Sequence, residues 1–125
     1  MADSSASTIK TIFLDVLYEE IGLPVMLQGS LSETEEYPQE FFTYWNNTTS
    51  DNNHYDNEPV SWTWSFDLNC YSTSPERVGF LLERATAALK QHGFIIVGKG
   101  YDVYSDEITH TGRGINVLYI ENNRR

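Results

Sequence analysis

Apolar side chains recur at two different periods along this chain, and each change of period marks a new element. Ile9, Ile12, Phe13, Val16, Leu17 and Ile21 follow the i, i+3, i+4, i+7 spacing of one helical face. A helix is predicted from Ser7 or Thr8, either of which can cap it, to Gly22, with Leu23-Pro24 preventing its continuation. From Val60 to Cys70 the period falls to two. Val60, Trp62, Trp64, Phe66, Leu68 and Cys70 alternate with Ser61, Thr63, Ser65, Asp67 and Asn69, which predicts a strand with one apolar and one polar face. The helical period returns with Val78, Leu81, Leu82, Ala85, Ala88 and Leu89. Ser74 at the N-cap, Pro75 at the first helical position and Glu76 in the first turn open this second helix. Lys90 and His92 lie in its last turn and Gly93 ends it.

Weaker patterns fill the intervals. Residues 1–7 are small and polar, and are expected to form a flexible tail. Leu23 to Leu31, apolar around Pro24, suits an extended or edge strand, and the acidic Ser30 to Gln39 a connector. Glu40 to Trp45 is aromatic and strand-like. Residues 46–59 hold five asparagines, three acids, one histidine and no aliphatic side chain, so a long polar loop is expected there. Phe94 to Val97 suits a central strand, Gly98-Lys99-Gly100 a bulge before Tyr101 to Tyr104, and Ser105 to Gly114 a polar turn. Ile115 to Glu121 is the last strand and 122–125 a short tail. These elements make one α+β domain over residues 1–125. Its expected architecture is a single antiparallel or mixed sheet of about four strands, with both helices packed on one face.

Composition narrows the function. A chain of 125 residues with 40% apolar side chains can build one core without a disulfide or metal staple. Eighteen acidic residues against eight basic ones give a formal charge of −10. That balance argues against a dedicated nucleic-acid binder, which displaces counterions with Lys and Arg, and against an anionic membrane surface. Cys70 is the one cysteine, so no intramolecular disulfide forms and a reducing compartment is the simpler expectation. The polar N-terminus carries no apolar signal core, and no run approaches the ~20 residues that span a bilayer. An intracellular origin is therefore expected. The glycosylation patterns at Asn46 and Asn47 are then chance in an Asn-rich stretch.

Candidate chemistry is sparse. His54 sits among oxygen ligands from Ser50 to Glu58, but the glycine and glutamate spacing of a calcium-binding loop is missing. Neither His92 nor His110 has neighbours at ligand spacing. Cys70 shares the apolar strand face with Phe66 and Leu68, as a buried structural thiol does. Gly98-Lys99-Gly100 and Gly112-Arg113-Gly114 are glycine-flanked bases that could approach a phosphate, but neither opens a helix, so a bulge and a turn are the expectation. The sequence displays no enzyme, no metal site and no cofactor site. It does display aromatic side chains in surplus of a small core at Tyr18, Tyr37, Phe41, Phe42, Tyr44, Trp45 and Tyr55, of the kind protein interfaces favour, with Phe42, Tyr44 and the strand tryptophans expected to pack on the sheet.

The order of elements, with several local signatures, resembles a known family. A helix runs into Gly22-Leu23-Pro24-Val25-Met26, and the aromatic Phe41-Phe42-Thr43-Tyr44-Trp45 precedes an Asp/Asn stretch. Trp64-Ser65-Phe66-Asp67-Leu68-Asn69-Cys70-Tyr71-Ser72 then feeds a helix that starts Ser74-Pro75-Glu76-Arg77 and closes with Ala87-Ala88-Leu89-Lys90-Gln91-His92-Gly93-Phe94. From about Thr8 to Ile120 this is similar to the tail terminator (tail completion, head–tail joining) proteins of long-tailed bacteriophages. The resemblance implies a virion structural protein, made in the host cytoplasm, that forms a ring, usually a hexamer, at the head-proximal end of the tail tube. Its partners would be copies of itself, the tail-tube protein and a head-completion or connector protein, with DNA passing through the lumen without specific binding and no membrane involved. Six copies would carry roughly −60, so close contacts must be apolar or use the few bases locally. The expected assembly surface comprises Asp51, Asn52, Asn53, His54, Tyr55 and Asp56 of the polar stretch, together with Arg77, Arg84 and Arg113. Another head–tail connector or tail-tube component, or a small acidic inhibitor or immunity-type protein masking a basic partner, are the alternatives.

Overall fold

The alternating segment predicted as the clearest strand becomes the spine of the sheet. In a computed structural model, which describes residues 5–28, 37–55, 58–105 and 108–122, the elements run α1 (Ser5–Ile21), β1 (Val25–Leu27), β2 (Glu40–Tyr55), β3 (Glu58–Ser72), α2 (Pro75–Gln91), β4 (Ile95–Val103) and β5 (Thr111–Asn122). The strands form one sheet in the order β1-β2-β3-β5-β4. β1 pairs parallel to β2 and every other neighbour is antiparallel. The fold is α+β with a mixed sheet, as expected. It has five strands where about four were expected, the fifth being the edge strand foreseen after Pro24.

Both helices pack on the face of β3 that carries Trp64, Phe66, Leu68 and Cys70. Phe13 of α1 is fully buried and stacks on Phe66 with ring centroids 4.4 Å apart. Tyr44 and Phe94 close around the same ring at 6.1 and 5.8 Å. Leu81, Leu82, Ala85 and Leu89 of α2 complete the core. Of the helices, α1 lies on the β1 side against β1 and α2, whereas α2 covers β3, β5 and β4. Gly22, at φ +79°, ends α1 with its N–H donating to the Tyr18 carbonyl, and Gly93, at φ +93°, ends α2.

Several expectations are corrected. The stretch 46–59, expected as a loop, continues the β2–β3 hairpin: Thr49 pairs with Trp64, Asp51 with Trp62 and Tyr55 with Glu58. Its polar composition misled because backbone pairing to β3, whose alternation is unbroken, satisfies the strand whatever side chains it carries. A register shift between Asn46 and Thr49 marks the point where the aromatic half gives way to the polar half. Ser5–Ser7 belong to α1 rather than to the tail, and Asn122 belongs to β5. Residues 56–57, 1–4 and 123–125 lie outside the described residues. β4 is an edge strand, not a central one. Gly112 and Gly114, expected in a turn, are strand residues of β5, where missing Cβ atoms leave room for the Tyr71 and Tyr101 rings.

Candidate interaction surface

The outer face of α2 carries Phe80, half exposed, between two arginines whose guanidinium carbons lie 5.5 Å (Arg77) and 6.0 Å (Arg84) from its ring centre. Both arginines are also tied inward. Arg77 donates from Nε and Nη2 to Glu40 at 2.7 and 3.0 Å, fastening the start of α2 to the start of β2. Arg84 Nη2 donates to the Glu20 carbonyl at 2.7 Å, closing the C-terminal end of α1. Ser72, fully buried, donates from its hydroxyl to Glu40 and accepts the Ser74 N–H at 3.0 Å. The expected cap, Ser74, occupies the N-cap position but makes no side-chain cap bond. The Arg77 hydrogen bonds, opposed in part by burial, hold the Glu40 carboxyl below the usual carboxylate value.

Arg113 lies elsewhere, on β5 beside the β4 bulge. Its Nη1 donates to Asp102 at 2.9 Å and its Nη2 to the Lys99 carbonyl at 3.3 Å. Gly98 and Gly100, both at positive φ, let the chain leave the ladder, so residues 98–100 stand opposite Ile115 alone. The structure thereby brings together the two glycine-flanked bases that the sequence keeps fourteen residues apart. Between this bulge and α2 opens a cleft of about 570 Å³, lined by Ile96, Ile115, Lys90, Lys99, Arg113 and Glu83 among others. Lys90 comes from the last turn of α2, and nothing in the linear pattern joins it to the bulge. Asp51–Tyr55 form the far end of β2, well removed in register from Arg113, which lies in the row of Cys70 and Phe42, and Asp56 lies outside the described residues.

The sheet face opposite the helices bears part of the aromatic surplus, in two groups. Phe41 is buried there, its ring 5.1 Å from Tyr71, 5.7 Å from Tyr37 and 5.8 Å from His110. His110 Nε2 and the Pro38 carbonyl are 2.8 Å apart, which pins the segment before β2 to the segment before β5. Further along, Trp45, Ile95, Val97, Tyr101 and Ile120 are each more than 40% exposed. Register places Trp45, Asp67, Asn116 and Val97 in one row across the sheet, with Ile95 beside Leu118 in the next. Phe42 and Tyr44 are core residues, whereas Tyr18 is 69% exposed on α1.

Cys70 is not prepared as a nucleophile. Burial, reinforced by the Glu40 charge, pushes the Cys70 thiol up to about 12, so it stays protonated. Burial and the nearby Asp67 charge raise the Tyr101 phenol as well. Among the described residues no three His, Cys, Asp or Glu side chains converge as a metal-holding group, and no helix is long and apolar enough to cross a membrane. No protein-family model matches the chain, and no curated protein matches it.

Proposed function

We propose that this chain is a virion structural subunit that assembles with copies of itself into a ring at the head-proximal end of a bacteriophage tail tube. There it ends tube polymerisation and joins tail to capsid. The observation that carries the reading is the sheet face away from the helices, where Trp45, Ile95, Val97, Tyr101 and Ile120 stand exposed in a chain of net charge −10. Several large apolar side chains exposed on one sheet face, with the polar pair Asp67 and Asn116 between Trp45 and Val97, suit a surface that a partner covers. The helix–strand–hairpin–helix–hairpin order along the chain is compatible with the resemblance to tail terminators, which is one of topology. The acidic surface suits a lumen through which DNA slides, because basic walls would hold phosphate. Tail-tube protein and a head-completion or connector protein are the partners this reading requires.

Electron microscopy of the purified protein mixed with tail tubes tests it. Rings seated at one tube end, with elongation stopped, are the expected result. Long stacks formed by the chain itself would replace the terminator with a tube component. A monomer that ignores tubes and binds one basic partner would replace it with an acidic inhibitor.

A further inference from the structure

We infer that the cleft between α2 and the β4 bulge receives the acidic side of α1 from a second copy of this chain, a head-to-tail contact that rests on the ring reading. The two surfaces lie on opposite flanks of the same subunit. Strand order puts β1 at one edge of the sheet and β4 at the other, with α1 on the first flank and the cleft on the second. From Thr11 to Ile21, α1 has three acids, Asp15, Glu19 and Glu20, and no base. All three are exposed, as is Tyr18. In the cleft the balance reverses: three of the eight basic residues, Lys90, Lys99 and Arg113, meet one acid, Glu83. Among the described residues Lys90 and Lys99 have no ion-pair partner, and the Asp102 carboxylate paired with Arg113 is itself 92% exposed. Two lysines without an ion-pair partner among the described residues, with Arg113 beside them, are complementary in charge to the exposed acids of the α1 flank.

The apolar lining of the cleft adds to the charge. Tyr18, next to Glu19 and one turn from Asp15, would bring an aromatic ring to a cleft whose lining includes the apolar Leu82, Ile96 and Ile115 as well as the cations. The other basic patch, around Phe80, suits this role less well, because Arg77 and Arg84 already spend hydrogen bonds on Glu40 and Glu20. Two different surfaces on opposite flanks make a heterologous contact, and such contacts close into rings when the rotation per subunit permits.

The test uses two variants, each reversing one surface at exposed positions. Lys90→Glu with Lys99→Glu makes the cleft acidic; Asp15→Lys with Glu19→Lys makes α1 basic. Sedimentation at low salt, with and without tail tubes, should show wild-type assembly. Each variant alone should associate roughly tenfold or more weakly, and an equimolar mixture should regain assembly because every contact is again complementary. Lys90→Gln with Lys99→Gln, expected to give a smaller loss, serves if a reversal fails to fold by circular dichroism. Wild-type rings matched by both reversed variants would overturn this contact and leave the ring reading standing. A wild-type chain that stays monomeric with and without tubes would overturn both.

Discussion

Gly112→Ala puts the packing of the outer sheet face to a quantitative test. A Cβ built at Gly112 would lie 2.6 Å from Tyr71 Cε1 and 2.7 Å from Val103 Cγ2. Carbon atoms pack at about 3.5–4.0 Å, so both side chains must retreat by roughly an ångström. Tyr71 has little freedom to do so, because its ring lies against buried Phe41 at 5.1 Å. Overpacking of this kind costs about 1–3 kcal/mol, and removing a strand glycine returns about 0.5–1 kcal/mol by stiffening the unfolded chain. The net expectation is a loss of about 1–2 kcal/mol, or a fall in Tm of about 4–8 °C for a domain of this length. Gly79→Ala is the control: it lies within α2 with nothing within 4 Å of the added atom, and should gain about 0.5–1 kcal/mol. Thermal melts followed by circular dichroism, with urea unfolding as a second measure, read both. Adding Val103→Ala to Gly112→Ala should recover part of the loss beyond simple additivity. If Gly112→Ala melts at or above the wild type, or Val103→Ala shows no coupling to it, Tyr71 and Val103 do not close over β5 and the explanation for this glycine fails.

Three further outcomes are expected. Trp64→Ala removes a buried ring whose Nε1 donates to Glu121 at 3.0 Å, and should cost about 3–5 kcal/mol, or about 10–20 °C in Tm; a melt within a degree or two of wild type would place Trp64 in solvent. The Cys70 thiol should resist disulfide reagents at mildly alkaline pH and react at the rate of global unfolding, with fast native labelling as the contrary result. Glu40 has a folded pKa below its ordinary 4.5, so its contribution is complete above that value and is lost as pH falls through the depressed one. The difference in melting temperature between wild type and Glu40→Gln should therefore be largest near neutrality and shrink in acid; a difference that grows on acidification contradicts the Arg77–Glu40–Ser72 arrangement.

What the sequence disclosed depends on whether the signal was local. The two helices and β3 were legible because a period of 3.6 or 2 is a property of neighbouring positions, and their glycine ends fall at Gly22 and Gly93 as the pattern required. The 46–59 segment was misread because composition reports solubility, whereas strand pairing depends on what lies across the ladder. Gly112 and Gly114 looked like a turn because the reason for them, the rings of Tyr71 and Tyr101, comes from other strands. β4 looked central because it is apolar, but its apolar residues Ile95 and Val97 lie on an edge and face outward. The candidate site was legible only in fragments. Glycine-flanked Lys99 and Arg113 were visible singly, and their meeting with Lys90 needed the fold. Arg77 and Arg84 were singled out for assembly, yet their hydrogen bonds assign them first to joining α2 to β2 and to α1.

The two sheet edges bear on which kind of assembly this subunit suits. A long flat edge invites the next chain to add as a strand and to continue without limit. β4 is ill suited to that: Gly98 and Gly100 at positive φ throw residues 98–100 out of register, and Lys99 sits at the break. Bulges and edge lysines are devices that block strand addition. At the other edge β1 covers β2 at Phe42, Thr43 and Tyr44. Growth by sheet extension is therefore disfavoured on the β4 side, and a neighbour there must be held by side chains: the basic cleft, and the apolar corner of Ile95 and Val97 just beyond it. Contacts built from side chains on two unlike flanks fix a rotation between subunits and can close after a set number of copies. Closure of that kind is what the ring proposed above requires.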